Sequence, residues 1–220
     1  GWILHDAELL QPPKEMKERI VRTFRRVYNR HSFIETDGLK LYVVDRAESE
    51  DGEVEIMDKE DDSIKAVCLE NENNIEVFFD GFKKNALPIT NKLYSKQCEC
   101  AILPREADTE EWLLFIETKY ATDLARAQKA EADYPNRMVE QIKATVQYFR
   151  SKGIIDPEKV VHAIISFPNL VNEFNSWVFP LIHKDGTEES VLDIRLNDKI
   201  IIRATNHAKI VNEKTLLLLS

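Results

Sequence analysis

Apolar residues recur every three to four positions in three stretches of this chain, and every second position or without interruption in several shorter ones. Met16, Ile20, Phe24 and Val27, widened by Val21 and Tyr28, mark an amphipathic helix from Lys14 to about Asn29. Thr122 or Asp123 caps a short helix to about Asp133, which Tyr134-Pro135 stops, and Asn136 caps a longer one to Lys152. In that longer helix Met138, Ile142, Thr145, Val146 and Phe149 face inward, and Gly153 ends it.

The shorter patterns predict strands. Leu39 to Val44 and Val54 to Met57 alternate around a tip at Glu50-Asp51-Gly52, and Ile64 to Leu69 with Ile75 to Phe79 reads as a second hairpin over Asn71 to Asn74. Two apolar runs, one ending at Leu103 and one from Trp112 to Ile116, are short enough for buried central strands and flank an acid-rich loop from Pro104 to Glu111. Lys159 to Phe167 is a further continuous apolar strand. Val191 to Leu196 and Lys199 to Ala204 read as a hairpin over Asn197-Asp198, and Leu216 to Leu219 as an apolar tail that docks on the body. A helix followed by β, β, α, β predicts an α/β (α+β) fold with helices on both faces of a mixed sheet. One domain covers residues 1–220: a core at about 96–167, the N-terminal helix at 13–30, hairpins at 39–79 and a C-terminal hairpin extension at 189–220.

The second central strand breaks its own pattern. If Trp112 to Lys119 is extended, Glu117 and Lys119 lie on one face, at the end of a strand whose other positions call for burial. Glu99, among Cys98, Cys100 and Ala101, is a second carboxylate in an apolar setting. Buried ionisable groups need a partner or a metal, and a hard divalent cation relieves repulsion between facing carboxylates. Mg²⁺ (or Mn²⁺) suits such a pair, and Lys119 beside it could orient or deprotonate a water, or neutralise charge at phosphorus. A cross-face Glu117–Lys119 ion pair, with Glu99 bonded to a backbone group or an Arg, is the structural alternative.

Glu99, then Glu117-Thr118-Lys119 after an apolar strand, resembles the PD-(D/E)xK nuclease superfamily, whose fold is restriction-endonuclease-like. The resemblance implies a metal held by Glu99, Glu117 and the Thr118 carbonyl, with Lys119 as catalytic lysine and phosphodiester hydrolysis in nucleic acid as the reaction. It covers about residues 96–167. The family's first acid is usually Asp after Pro; here it is Glu99 after Cys98. Many relatives carry a supporting Gln on the helix after the lysine strand, which implies a role for Gln141, although an exposed helical Gln is the commoner reading of the residues.

Charge adds a candidate partner surface. From Lys14 to Arg30 seven basic residues face two acidic ones, and Arg22, Arg25 and Arg26 lie off the apolar stripe. This face fits nucleic acid, DNA in preference to RNA, or a solvated surface paired with the acidic run. That run, Asp45 to Asp62, holds ten acids and two bases, a net of −8 against −9 for the chain, so the remainder is nearly neutral. Cys68, Cys98 and Cys100 lack metal spacing and read as reduced core thiols, which points to the cytoplasm. No apolar run approaches the ~18 residues of a membrane span. A start at Gly1-Trp2 reads as a trimmed end, and a homodimer is left open. The six glycines form no phosphate-binding loop, and the five histidines show no ligand spacing, with His162 a core residue.

Overall fold

The computed structural model describes residues 14–46, 53–108, 110–129, 131–170 and 174–220. The tip at Glu50-Asp51-Gly52 lies outside them. The chain begins with helix α1 (Met16–Thr23), a 3-10 segment (Arg25–Arg30), and strands β1 (His31–Thr36), β2 (Lys40–Asp45), β3 (Val54–Met57), β4 (Val67–Glu70) and β5 (Val77–Phe82). Strands β6 (Cys100–Pro104) and β7 (Leu114–Thr118), helices α2 (Leu124–Ala127) and α3 (Tyr134–Ser151), and strand β8 (Val161–Ser166) form the middle. Helix α4 (Asn175–Val178), strands β9 (Leu181–Ile182) and β10 (Glu188–Glu189), helix α5 (Val191–Asp198), and strands β11 (Ile200–Ala204), β12 (His207–Ile210) and β13 (Leu216–Leu218) complete it. Among the described residues no helix is long and apolar enough to cross a membrane.

This is a mixed α/β architecture in three layers. The main sheet has the order β1-β5-β6-β7-β8-β11, and the second sheet β13-β12-β4-β2-β3. In the main sheet β5, β6 and β7 form an antiparallel meander, helix α3 crosses over, and β8 returns parallel to β7, with β11 parallel beyond it. Both faces of the centre are covered, so every residue of β6 and β7 is buried, as their uninterrupted apolar runs require. On one face Phe115, Ala163 and Ile165 meet Met138, Ile142 and Phe149 of α3. On the other Ile102, Leu114 and Ile164 meet Leu41, Leu69 and Ile210 of the second sheet.

Several sequence expectations are corrected. The N-terminal helix does not continue to Asn29: it stops at Thr23, and Val27 at φ −122° breaks the segment that follows. The periodic stripe persists because Phe24 still reaches the core. Ile64–Leu69 and Ile75–Phe79 do not pair. The Asn71 side chain bonds the Gly38 and Ile75 carbonyls and the Ile75 amide, and Asn74 takes a left-handed φ of 50°, so the chain leaves the second sheet for the main one. Val191–Leu196 is helical, not a hairpin arm, because Ser190 and Asp193 form a reciprocal capping box and Lys199 ends the helix in the left-handed region. The C-terminal residues are therefore no appendage: β11 extends the main sheet, while β12 and β13 extend the second. Tyr134-Pro135 starts α3 and does not stop a helix, since proline is suited to the first turn. Strand β1 is an addition that the sequence patterns did not predict. Cys98 and Cys100 are free and buried, but they join opposite core faces.

Strand β1 is anchored by a buried pair. His31 Nδ1 lies 2.8 Å from Asp80 Oδ1, its Nε2 donates to the Ala86 carbonyl at 3.0 Å, and Phe24 stacks on the ring at 4.0 Å. Burial pushes the Asp80 carboxyl up to about 6, against the pull of His31. Removing one member of a buried pair strands the other, at roughly 3–5 kcal/mol. Thermal or urea unfolding of His31→Ala is expected to show a loss of that order, and Asp80→Asn, which leaves the ring a polar neighbour, a smaller one.

Candidate active site

The end of β7 carries the residues singled out in the sequence. Leu113 and Phe115 enter the helix-side core, and alternation carries Glu117 and Lys119 onto the same side, at the point where the strand leaves the sheet. The Lys119 amide still donates to the Ser166 carbonyl at 2.9 Å, so its backbone is held to β8. Glu99, immediately before β6, donates its amide to Ile116 at 3.0 Å and accepts from Phe82 at 2.9 Å, which fixes it between β5 and β7. Lys119 Nζ sits 3.0 Å from Glu117 Oε1 and 3.9 Å from Glu99 Oε1. The structure thus brings Glu99, Glu117 and Lys119 together, two carboxylates spanned by one ammonium. Thr118 lies between them in sequence, buried, with its hydroxyl unpartnered.

Glu117 is the unusual member. Its side chain is 0% exposed, and beyond the Lys119 ammonium at 3.0 Å, which approaches off the ideal hydrogen-bond angle, neither carboxylate oxygen has a partner among the described residues. Burial pushes its carboxyl up to about 7, with Lys119 opposing. Glu99 is pushed well above the usual carboxylate range, first by burial and then by the charges of Glu117 and Asp45. Burial disfavours the Lys119 cation, but Glu117 and Glu99 outweigh it and hold its pKa above the ordinary value.

Helix α3 positions the segment leading to Glu99. Gln141 Nε2 donates to the Gln97 carbonyl at 2.9 Å, while Thr145 Oγ1 accepts from the Cys98 amide at 2.9 Å and donates to the Gln141 carbonyl. The Gln141 amide thus holds backbone next to the carboxylates. Asp45 and Tyr120 were not singled out in the sequence. Tyr120 Oη accepts from the Asp45 amide at 3.2 Å and donates to the Lys65 carbonyl at 3.0 Å, tying the second sheet to the residue after Lys119. Asp45 ends an apolar strand just as Glu117 does, a signal masked by the acidic run that it opens.

A cavity of about 770 Å³ opens on Glu99 and Lys119, and its wall includes Lys84, Lys96, Arg137 and Gln141. Arg22, Arg25 and Arg26 are exposed on α1 and the turn after it, and none lines this cavity. Among the described residues no group of three or more His, Cys, Asp or Glu side chains is arranged to hold a metal ion. Glu99 and Glu117 supply two carboxylates, which suits Mg²⁺, an ion that keeps several waters and takes one or two carboxylates plus substrate oxygens. Comparison with protein-family models, curated proteins and solved structures returns no match for this chain.

Proposed function

We propose that this protein is a metal-dependent nuclease with a restriction-endonuclease-like core, hydrolysing phosphodiester bonds in nucleic acid, DNA in preference to RNA, in the reducing cytoplasm that its free thiols suit. The observation that carries this reading is the Glu117 carboxylate, wholly buried at a strand end, with the Lys119 ammonium at 3.0 Å and no other hydrogen-bond donor on it among the described residues. A buried carboxylate with a single ionic partner and its remaining lone pairs unsatisfied costs stability, and perturbed groups of this kind concentrate at functional sites. The β5–β6–β7 meander with the α3 crossover to β8 supports the same reading.

Glu99, Glu117 and the Thr118 carbonyl would hold Mg²⁺ or Mn²⁺, which when bound supplies Lewis-acid stabilisation of phosphoryl charge and a bound water of lowered pKa. Lys119, held beside both carboxylates, would neutralise a phosphate oxygen or act on the attacking water. Gln141 and Thr145 are positioning residues that set the approach of Glu99. Glu99→Asp restores the family's usual residue, and calorimetry with Mg²⁺ is expected to show binding retained in that variant and lost in Glu117→Ala, with cleavage following the same order.

A second reading has its own support. Lys119 already closes the gap between the carboxylates, and no three-acid cluster is formed among the described residues. On that basis the protein is a catalytically inactive module on the same fold that binds nucleic acid or protein. Wild-type protein that binds no divalent ion at millimolar concentration selects this reading.

A further inference from the structure

Lys119 does not sit at the end of a blind pocket. A second cavity of about 320 Å³ also borders it, lined by Thr122, Arg126 and Ala132 among others. The two cavities share two wall residues, Lys119 and Tyr134. Tyr134 opens α3 and packs part of its ring against the core, so it is a fixed aromatic at the junction. The cations are spread along both chambers. Lys84 and Arg137 lie in the larger and Arg126 in the smaller, all exposed and in no ion pair among the described residues. Lys96 is neutralised by Glu140 at 2.7 Å, and Asp123 is occupied in capping α2.

From this arrangement we infer that the two cavities form one binding groove for single-stranded nucleic acid, which crosses the Lys119–Tyr134 junction with phosphates on Lys84 and Arg137 to one side and Arg126 to the other. The inference rests on the nuclease reading for the chemistry at Lys119, but not for the binding itself. Two observations select a single strand. Unpaired cations on both sides of a fixed aromatic are what a flexible strand uses, its backbone following positive charge while a base stacks on the ring. The groove is also concave on both sides of a junction, with Glu117 wholly buried behind Lys119. A duplex, stiff over about 50 nm, cannot follow such a path without a bending cost.

The test is fluorescence anisotropy with labelled 20-mers, single-stranded and duplex, in EDTA and again in Ca²⁺, across a salt series. The expected result is single-strand binding about tenfold or more tighter than duplex binding, with a salt slope that falls by about 1.4 in Lys84→Glu/Arg137→Glu, because each lost contact removes about 0.7. That double variant is expected to bind about tenfold more weakly, and Arg22→Glu/Arg25→Glu/Arg26→Glu to lose no more than about twofold. Tyr134→Leu, which keeps an apolar group on the core, is expected to lose about fivefold or more, and Tyr134→Phe to bind as wild type. Equal or tighter duplex binding, no single-strand binding in either condition, equal capture of polyglutamate, or a larger loss from the α1 reversals than from the groove reversals would overturn the inference. Single-strand binding without Mg²⁺-dependent cutting leaves the groove standing and removes the nuclease reading.

Discussion

Lys119→Ala is expected to lower cleavage by about 10²–10³-fold, the range for removing one group that stabilises transition-state charge, while divalent-ion binding is retained. Both halves follow from the geometry. The ammonium lies 3.0 Å from Glu117 and 3.9 Å from Glu99, which favour its charged form, so in the proposed reaction it would offer positive charge to a phosphate oxygen. The same ammonium competes with a divalent cation for those carboxylates, so truncating it removes a competitor and leaves the ligands. Lys119→Arg keeps the charge but changes its shape to a planar fork, and an intermediate rate is expected. Single-turnover cleavage together with calorimetry reads both quantities. Loss of ion binding in Lys119→Ala, with folding intact, would assign Lys119 to holding the site together.

Glu117→Gln is expected to inactivate the protein and stabilise it. Burial raises the Glu117 carboxyl from its ordinary 4.5 to about 7. A carboxyl with a raised folded-state pKa contributes stability that is fully present below about 4.5 and is lost as the pH rises through about 7. Wild-type stability should therefore decline from pH 5 to pH 8 by on the order of 1–3 kcal/mol through this group. The amide of Gln cannot ionise, so the variant should lack that decline. At pH 8 its Tm should exceed wild type by roughly 2–12 °C, given about 2–4 °C per kcal/mol for a chain of this size, and at pH 5 the two should nearly coincide. The structural alternative has the opposite sign. Were Glu117 and Lys119 a stabilising ion pair, Glu117→Gln would lower the Tm at pH 8.

The site was legible because of a conflict within one strand. Trp112 to Ile116 demands burial, and the alternation that buries Phe115 carries Glu117 into the same layer, where a carboxylate has no place without a purpose. Glu99 was legible for the same reason, from its apolar neighbours. Asp45 poses an identical conflict at the end of Leu41–Val44, but the net −8 segment that follows made it read as surface charge. The central strands and α3 were readable because they are buried and strongly periodic. The separation of β4 and β5 into different sheets was not, since the Asn71 side chain that redirects the chain looks like any hairpin turn. Nor was the α5 helix: Val191–Leu196 fits either period, and only the Ser190–Asp193 capping box decides it. Tyr134 and the two cavities depend on how α2 and α3 pack around Lys119, which no local pattern encodes.

The most direct measurement of the central claim is cleavage of circular single-stranded DNA, supercoiled plasmid and RNA by wild-type protein, in EDTA and in Mg²⁺ or Mn²⁺, with Glu117→Ala alongside. The account predicts cutting that requires the divalent ion and disappears in Glu117→Ala. Wild-type protein that cuts none of these substrates and binds neither ion at millimolar concentration would contradict it.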